Sequence, residues 1–301
     1  MRRSQSFTAY HRKELYKPSV HKTNSESLRK GCIFFNPYRY VFQDKSCGGN
    51  NKNVNVAYDQ ASKKLVVIKK CRNIESELKV LREFSDCNYI QKIIQYDIVQ
   101  KIVVYDYNPN GDLFEYTTKV RKLTGFESRN IVLLPILRAL QYLHSLNYAH
   151  RDIKQENILY DPNGCKLIDF EFCQQIPESG YFEDFSGTLE CMAPEVFRKK
   201  ACLESDLWSL GIVYYECLHE RNPFGSNRGI DSVKKDVLNI NISIDLSLHI
   251  DDIKILKILL HCDPGYRKNI YKHLLSSHKE PEVQNDQEPD TGNKMKCCWP
   301  W

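Results

Sequence analysis

Short apolar runs separated by turn residues characterise the first part of the chain. Val54, Val56 and Ala57 precede a turn, and a second apolar run covers residues 65–68 after it. Short runs of this kind, bounded by turn residues, are typical of β-strands. A further apolar run over residues 102–107 ends at the turn sequence Asn-Pro-Asn-Gly. This part of the chain is therefore predicted to form a small β-rich region.

Apolar residues at helical spacing predict several helices, which dominate the later part of the chain. Residues 74–84 carry three large apolar side chains on one face of a helix. Residues 131–146 carry leucines at apolar spacing, and Pro135 is expected to kink this helix or to mark an early turn. Further core helices are predicted to include two segments, 213–217 and 253–260.

The two ends of the chain differ in composition from the part between them. Residues 1–37 are rich in Arg, Lys, Ser and His, and residues 279–301 are polar and contain prolines. Such compositions are typical of disorder. We therefore predict a basic disordered extension over 1–37, a folded domain over 38–278 and a disordered tail over 279–301. Cys297 and Cys298 allow an acylated membrane contact, which is the less favoured interpretation of the tail.

Length, cysteine spacing and net charge argue against several classes of protein. The 301 residues can bury a sizeable core, and no run approaches the roughly 18 apolar residues of a membrane span. The twelve cysteines show no C-x-x-C pair, which argues against a zinc site or a disulfide framework. We expect a cytoplasmic or nuclear protein. The net charge of +5 is too modest to indicate nucleic acid as a partner.

The stretch over residues 150–159, HRDIKQENIL, carries the most informative polar side chains. It places a carboxylate at Asp152, an ammonium at Lys154 and a carboxamide at Asn157. Such groups can hold a hydroxyl nucleophile, a phosphate and a metal ion together, which is what phosphoryl transfer requires. A solvated loop whose charges fall this way by chance is the alternative for this stretch taken alone.

Three further motifs follow in order along the chain. They argue against the alternative that residues 150–159 are an ordinary solvated loop. KLIDFEF begins at Lys166, CMAPEV ends at Val196, and DLWSLG begins at Asp206. Together with residues 150–159 they resemble the signature set of eukaryotic protein kinases. The resemblance covers residues 38–278 and implies an α+β bilobal protein kinase fold, with a small β-rich N-lobe and a larger helical C-lobe. It also implies ATP and Mg²⁺ as cofactors and proteins as substrates.

The resemblance implies a set of nucleotide contacts. Lys69 follows Val54 by fifteen residues and matches the strand lysine that binds the α- and β-phosphates. Glu77 matches the helix glutamate that pairs with this lysine, and Glu75 is a nearby alternative. Tyr105 falls at the gatekeeper position. Gly49 matches a glycine of the phosphate loop, and Val54, Val67 and Leu159 match the aliphatic residues around adenine. The backbones of Asp106 and Asn108 match the hinge that binds adenine. Asp112 matches a ribose or substrate contact. The aliphatic residues could also serve core packing, and Asp112 could equally cap a helix.

The resemblance also assigns the chemistry. Asp152 would accept or orient the substrate hydroxyl proton, and Lys154 would neutralise charge on the moving phosphoryl group. Asn157 and Asp169 would supply oxygen ligands for Mg²⁺. Lys154 after the catalytic aspartate is typical of serine/threonine kinases, and Phe172 is typical of a preference for serine. Three acids match positions that receive substrate arginines in kinases with basic substrates: Asp112, Glu156 and Glu216.

Two departures from the family pattern bear on activity. Glu171 replaces the glycine of D-F-G, with an expected cost in backbone freedom and an added carboxylate near the metal. In the phosphate loop only Gly49 matches a motif glycine, and Cys47 and Lys52 stand at the other two positions. The four charged or polar groups closest to the chemistry are present: Lys69, Asp152, Asn157 and Asp169. We therefore favour an active serine/threonine kinase. The alternative is a pseudokinase that acts as a scaffold or binding module, and a small-molecule kinase is less favoured.

The segment between the D-F-G and A-P-E matches bears on regulation. Arg151 matches the arginine that grips an activation-loop phosphate in many kinases, and Gly187-Thr188 fixes a register that puts Asp184 at the phosphate position. We expect Asp184 to substitute in part for a phosphate. A solvated acid without such a function is the alternative. Arg267 is expected to pair with Glu195.

Overall fold

A computed structural model of the chain describes residues 39–42, 53–225 and 228–275. The predicted extension over 1–37, the predicted tail over 279–301 and Gly49 lie outside the described residues, as do Cys47 and Lys52. The proposed limits of the folded domain, 38 and 278, also lie outside them and stay predictions.

A five-stranded antiparallel sheet in the order β1-β2-β3-β5-β4 forms the first part of the described structure. Its strands are β1 (Tyr40–Phe42), β2 (Val54–Asp59), β3 (Lys64–Lys70), β4 (Ile93–Asp97) and β5 (Ile102–Asp106). The predicted apolar runs form β2 and β3, with Val56 opposite Val67. Helix α1 (Ile74–Glu83) connects β3 to β4 and buries Leu78 and Leu81.

The later part of the described structure is mainly helical, as predicted. Its helices are α2 (Leu113–Lys119), α3 (Gly125–Glu127), α4 (Leu134–Ser145), α5 (Ser205–His219), α6 (Ile230–Leu238), α7 (Ile250–Leu259), α8 (Pro264–Arg267) and α9 (Asn269–Leu275). Helix α5 is buried along most of its length, and its Trp208 is fully buried. The predicted segment 213–217 lies in α5, and segment 253–260 corresponds to α7.

Pro135 marks the first turn of α4 and follows a π-helical stretch, Ser128–Leu133. Proline has no amide hydrogen, so it cannot bond the carbonyl four residues before it, which belongs to Ile131. The amide of Cys165 donates to that carbonyl at 2.9 Å instead. The early turn expected at Pro135 is therefore observed, and the carbonyl that it leaves unpaired has a partner from another segment.

Two very short strand pairs position the polar loops. Strand β6 (Tyr148–Ala149) pairs with β9 (Gln174–Gln175), and β7 (Ile158–Leu159) pairs with β8 (Lys166–Leu167). The loop containing Asp152 runs from β6 to β7, and the loop containing Asp169 runs from β8 to β9. Because β6 pairs with β9 and β7 with β8, the two loops lie side by side.

Aromatic side chains connect the sheet region to the helical region. Phe84, just after α1, packs edge-on against Tyr148, with ring centroids 5.3 Å apart, and lies 6.4 Å from the Phe170 ring. Phe170 in turn contacts the His150 ring edge-on at 5.0 Å. The fold is the predicted α+β bilobal kinase fold, with a β-rich N-lobe and a helical C-lobe. Within the described ranges, no helix is long and apolar enough to cross a membrane.

Candidate active site

The loop that carries Asp152 is anchored to α5 by Asp206. The backbone amides of His150 and Arg151 each donate to the Asp206 carboxylate at 2.8 Å. His144 Nε2 lies 3.1 Å from the same carboxylate. Burial raises the pKa of Asp206, but the hydrogen bond and charge of His144 outweigh it, so this pKa falls below its ordinary value. An ionised, buried carboxylate therefore fixes the backbone just before Asp152.

Asp152 lies in a cluster of polar side chains that occupies both of its carboxylate oxygens. Thr188 Oγ1 donates to Oδ1 at 2.8 Å, and Asn157 Nδ2 donates to Oδ2 at 2.9 Å. Lys154 Nζ lies 3.0 Å from Oδ2 and also donates to Thr188 Oγ1 at 3.0 Å. Burial is the largest single influence and lowers the pKa of Lys154, but the charge and hydrogen bond of Asp152 and the charge of Glu156 together raise it above its ordinary value. The structure thus brings together a carboxylate and an ammonium, the two groups predicted for the chemistry.

Lys69 on β3 is held by two carboxylates. Its Nζ lies 2.9 Å from Glu77 Oε1 on α1 and 2.8 Å from Asp169 Oδ1. Glu77 is buried, whereas Glu75 is exposed, so Glu77 is the glutamate that faces the lysine. Burial lowers the pKa of Lys69. The charges and hydrogen bonds of Glu77 and Asp169 act in the opposite direction, and the net result is a pKa above the ordinary value. Lys69 is therefore a fixed cation between the sheet and the Asp169 loop.

Asn157 and Asp169 could hold a divalent cation. The Asn157 amide nitrogen donates to the backbone carbonyl and the carboxylate of Asp152, which leaves Asn157 Oδ1 as the ligand atom. Asp169 Oδ1 faces Lys69, and no described residue donates a hydrogen bond to its Oδ2. Burial is the largest single influence and raises the pKa of Asp169, but the charge and hydrogen bond of Lys69, the charge of His150 and the amide of Glu171 together lower it below its ordinary value. Ionised carboxylate and amide oxygens are ligands that Mg²⁺ takes, so this donor set fits the ion.

The predicted hinge residues have partners within the protein, one through a side chain and one through a backbone carbonyl. Asn108 Nδ2 donates to the carbonyl of Tyr160 at 2.9 Å, and the Asp106 carbonyl accepts from Gln91 Nε2 at 3.2 Å. Asp112 caps α2, because its Oδ1 accepts from the amide of Glu115 at 2.7 Å. Burial raises the pKa of Asp112 to about 6. Asp112 thus takes the helix-cap position that the sequence left open, and its second oxygen can still meet a ligand.

The aliphatic residues predicted around adenine lie on three strands. Val54 is on β2, Val67 on β3 and Leu159 on β7, and each is partly buried. Val67 and Tyr105 are opposite each other on β3 and β5. The partial exposure of the three aliphatic side chains leaves surface for a ligand.

The family model for the protein kinase domain matches residues 45–278, which include all of the site residues above. The chain belongs to the protein kinase family. This membership agrees with the β-rich and helical lobes and with the position of the polar loops between them.

Curated relatives include protein kinases from several organisms. Calcium-dependent protein kinase 6 of Plasmodium berghei (strain Anka) is 29% identical over 278 residues, which cover 83% of this chain and 19% of that protein. Maternal embryonic leucine zipper kinase of Xenopus tropicalis is 34% identical over 177 residues, 57% of this chain and 26% of that protein. Serine/threonine-protein kinase Sgk2 of Homo sapiens is 35% identical over 165 residues, 54% of this chain and 44% of that protein. The chain spans less than half the length of each of these relatives.

Glu171 stands at the glycine position of D-F-G. Asp169 has a positive φ of 63°, but Glu171 does not have a positive φ, so its side chain causes no strain of that kind. The Glu171 carboxylate lies 3.9 Å from Arg72 Nε. Within the described residues no group of three or more His, Cys, Asp or Glu side chains is arranged to hold a metal. Glu171 therefore causes no positive-φ strain, and the expected loss of backbone freedom relative to glycine stays a prediction.

Arg151 is held in place by the segment that follows Asp169 in this kinase domain. Its Nη2 lies 2.5 Å from Asp184 Oδ2, and its Nη1 donates to Gln174 Oε1 at 2.7 Å. The guanidinium also lies 4.3 Å from the centre of the Phe182 ring. Asp184 thus occupies the position predicted for it, in contact with the arginine next to Asp152.

A buried ion pair fixes the end of the same segment. Arg267 Nη1 lies 2.6 Å from Glu195 Oε1, and Nη2 donates to Oε2 at 3.0 Å. Ser205 Oγ donates to Glu195 at 2.7 Å, and the guanidinium lies 5.1 Å from the centre of the Trp208 ring. The predicted pairing of Arg267 with Glu195 is observed, and it ties α8 to the start of α5.

Thr188 is a site residue that sequence reasoning used only to fix the register. Its hydroxyl connects Lys154 to Asp152, as described above. The preceding Gly187 has φ +103°, and a Cβ there would lie 2.4 Å from the carbonyl oxygen of Arg151. Only glycine therefore lets the segment approach the catalytic loop closely enough for Thr188 to reach Asp152. The Gly-Thr pair was the available signal, and it was not interpreted in this way.

Proposed function

We propose that this protein is an ATP-dependent serine/threonine protein kinase. The observation that carries the proposal is that two preformed groups lie on adjacent loops, because the amide of Ile168 donates to the carbonyl of Asn157 at 3.0 Å. One is the Asp152–Lys154–Asn157 cluster, and the other is Lys69 held between Glu77 and Asp169. Phosphoryl transfer is mostly positioning and charge neutralisation, and these groups supply the carboxylate, the cations and the oxygen ligands that it needs.

On the nucleotide side, Lys69 would bind the α- and β-phosphates while Glu77 and Asp169 hold its position. Asn157 Oδ1 and Asp169 Oδ2 would hold Mg²⁺. When bound, this ion supplies positive charge that offsets the charge of the phosphates. Val54, Val67 and Leu159 would exclude water around the adenine.

On the substrate side, Asp152 would orient the protein hydroxyl and accept its proton. Thr188 and Asn157 fix the carboxylate plane, because each donates to a different oxygen. Lys154 Nζ would stabilise negative charge on the transferred phosphoryl group. Each of these atoms is already placed, so little reorganisation is needed when the substrate binds.

We propose serine in a basic sequence context as the substrate. Phe172, predicted to favour serine, is 39% exposed and so accessible. Of the three acids predicted to receive arginine, Glu216 accepts from the neutral amides of Gln155 at 3.0 Å and Asn222 at 2.8 Å. Within the described structure, none of the three has a lysine or arginine partner within ion-pair distance. Unneutralised carboxylates next to a substrate groove favour cationic side chains.

A reducing compartment, cytosol or nucleus, is consistent with the cysteine chemistry. Among the described residues eight cysteines are free thiols, and most of them are buried. Burial raises the pKa of several, including Cys217 and Cys191, which keeps them protonated and unreactive.

The alternative, a pseudokinase, is favoured by one observation. Glu171 adds a carboxylate beside Asp169, and negative charge there opposes the binding of ATP phosphates. Its ion pair with Arg72 offsets part of this charge, although Arg72 is mostly exposed and the pair is weak for that reason.

Transfer of labelled phosphate from Mg-ATP to peptides tests the proposal. A serine peptide with upstream arginines should be phosphorylated faster than the same peptide with threonine, or with the arginines replaced by alanine. Asp152→Asn is the matched control, because it keeps the shape of the side chain and removes its charge. Transfer no faster than in this control, by a folded protein, would support the pseudokinase.

A further inference from the structure

Glu77 is a buried carboxylate with an incomplete set of partners. It is 1% exposed, and both Lys69 Nζ and Tyr105 Oη bond to the same oxygen, Oε1, at 2.9 and 2.8 Å. Its second oxygen, Oε2, is buried and accepts no hydrogen bond from the described residues. A buried carboxylate with so few donors is costly, so each remaining donor contributes strongly to its position.

Tyr105 contacts Glu77 from a different strand than Lys69 does. It lies on β5 opposite Val67 of β3, is 6% exposed, and reaches across to α1. Burial, followed by the charge of Glu77, raises the pKa of Tyr105 well above its ordinary value. The phenol is therefore protonated and donates to the carboxylate. No phenylalanine or aliphatic residue at this position could make that contact.

We propose that the Tyr105 hydroxyl is a positioning group that holds Glu77, and with it helix α1, where Glu77 can pair with Lys69. Tyr105 does not act on the substrate directly. Its contribution reaches the nucleotide through Glu77 and Lys69. This inference rests on the proposed function only for its consequence in nucleotide binding, since the position of α1 can be measured without any ligand.

Cys71 belongs to the same buried cluster. Its side chain is 5% exposed, and burial, followed by the charge of Glu77 and a contact of the thiol with that carboxylate, raises its pKa. The thiol is thus neutral and cannot replace Lys69 as a cationic partner of Glu77. A thiol is a weak hydrogen-bond donor. The hydroxyl of Tyr105 remains the strong neutral donor to this carboxylate.

The test compares Tyr105→Phe with Tyr40→Phe. Each substitution removes one hydroxyl from a buried tyrosine of the same sheet, but Tyr40 donates to Gln95 Oε1 at 2.9 Å, away from α1. Hydrogen exchange of the α1 amides is measured first, on the full chain without ligand. We expect Tyr105→Phe to speed exchange of α1 by about tenfold, and Tyr40→Phe to leave it unchanged.

The same Tyr105→Phe substitution in a protein that already lacks the Glu77 carboxylate shows whether the tyrosine acts through Glu77 or through packing. In a Glu77→Met protein the acceptor oxygens are already lost, so Tyr105→Phe should change α1 exchange less than about twofold further. Equal effects of Tyr105→Phe in both backgrounds, or no effect in either, would overturn the proposal. An equal effect of Tyr40→Phe on α1 would overturn it as well.

Nucleotide binding gives the functional consequence. The affinity for Mg-ADP, measured by calorimetry, should fall about tenfold in Tyr105→Phe and stay unchanged in Tyr40→Phe. Calorimetry needs no turnover, so a protein that binds Mg-ADP without transferring phosphate would contradict the proposed function and leave this inference standing. Faster α1 exchange with unchanged Mg-ADP affinity would show that Tyr105 does not act on Lys69, and would overturn the link to the nucleotide.

Discussion

The two sides of the active site are held by contacts of different origin. The catalytic loop is anchored within the C-lobe, where Asp206 accepts two backbone amides and Thr188 bonds Asp152. Lys69, on the nucleotide side, depends on partners from both lobes, Glu77 on α1 and Asp169 after β8. The catalytic side should therefore keep its geometry when the lobes move, whereas the nucleotide side should not.

The departures from the family pattern follow the same division. Glu171 stands next to Asp169, and the incomplete glycine loop is expected to cover the phosphates. Both departures bear on the nucleotide side. The departures therefore fall on the side of the site that depends on both lobes.

Loss of the buried ion pair should have the largest effect. Glu195→Gln leaves the Arg267 charge, which is 0% exposed, without its full partner, and should lower the free energy of unfolding by about 3–5 kcal/mol. Urea denaturation measures this. Lys268→Ala, which breaks the Lys268–Glu204 pair of a mostly exposed lysine, is the control and should cost less than about 1 kcal/mol. Equal costs would mean that the buried pair does not stabilise the C-lobe more than an exposed pair does.

Removal of the Thr188 hydroxyl should come next. Thr188→Val keeps the shape but leaves Asp152 and Lys154 without their connecting group, so kcat should fall about tenfold or more while the affinity for nucleotide is unchanged. Thr188→Ser should restore most of the rate. A change in nucleotide affinity in place of kcat would break the division between the two sides.

Asp184 should have a smaller effect on turnover. It is 59% exposed, so its ion pair with Arg151 is partly screened, and Asp184→Ala should lower kcat by roughly three- to tenfold. Asp184→Glu keeps the charge and should keep most of the activity without any upstream kinase. The account of regulation is wrong if Asp184→Ala is fully active while Ser186→Ala is inactive.

Protonation of Asp112 should have a modest effect on the KM for basic peptides. Because its pKa is raised to about 6, the carboxylate becomes neutral as the pH falls through 6. The KM for an arginine-containing peptide should rise about two- to fivefold between pH 7 and pH 5, relative to an alanine-substituted peptide. Asp112→Asn should remove this difference. The same pH dependence for both peptides would exclude Asp112 from substrate recognition.

Glu171→Gly should have the smallest effect. Glu171 has no positive φ and its carboxylate faces Arg72, so restoring glycine should change kcat/KM by less than about threefold. Steady-state kinetics with varied Mg-ATP measure the change. An increase of a hundredfold would show that Glu171 suppresses activity, as the pseudokinase alternative requires.

Much of the fold followed from ordered sequence patterns. Apolar runs predicted β2, β3 and α1, and the spacing of charged motifs predicted which side chains approach one another, such as Arg267 and Glu195. Two-residue strands such as β6 and β9 could not be predicted, because periodicity needs longer segments.

Details of the site that depend on side-chain direction were also beyond the sequence. Tyr105 was placed at the gatekeeper position, but its hydroxyl contact with Glu77 depends on the distance between β5 and α1. The hydroxyl of Thr188 carries no charge that would mark it in the sequence. The φ of Glu171 is set by the loop around it, and the mismatch with a motif glycine does not indicate that angle.

Nucleotide binding and phosphate transfer, measured side by side on Asp152→Asn and Lys69→Ala, test the central claim most directly. Asp152→Asn should bind Mg-ADP with unchanged affinity and transfer phosphate at least about 100-fold more slowly than the unaltered protein. Lys69→Ala should lose nucleotide affinity. An unaltered protein that transfers phosphate no faster than Asp152→Asn would contradict the account, and the chain would then be a kinase-fold binding module.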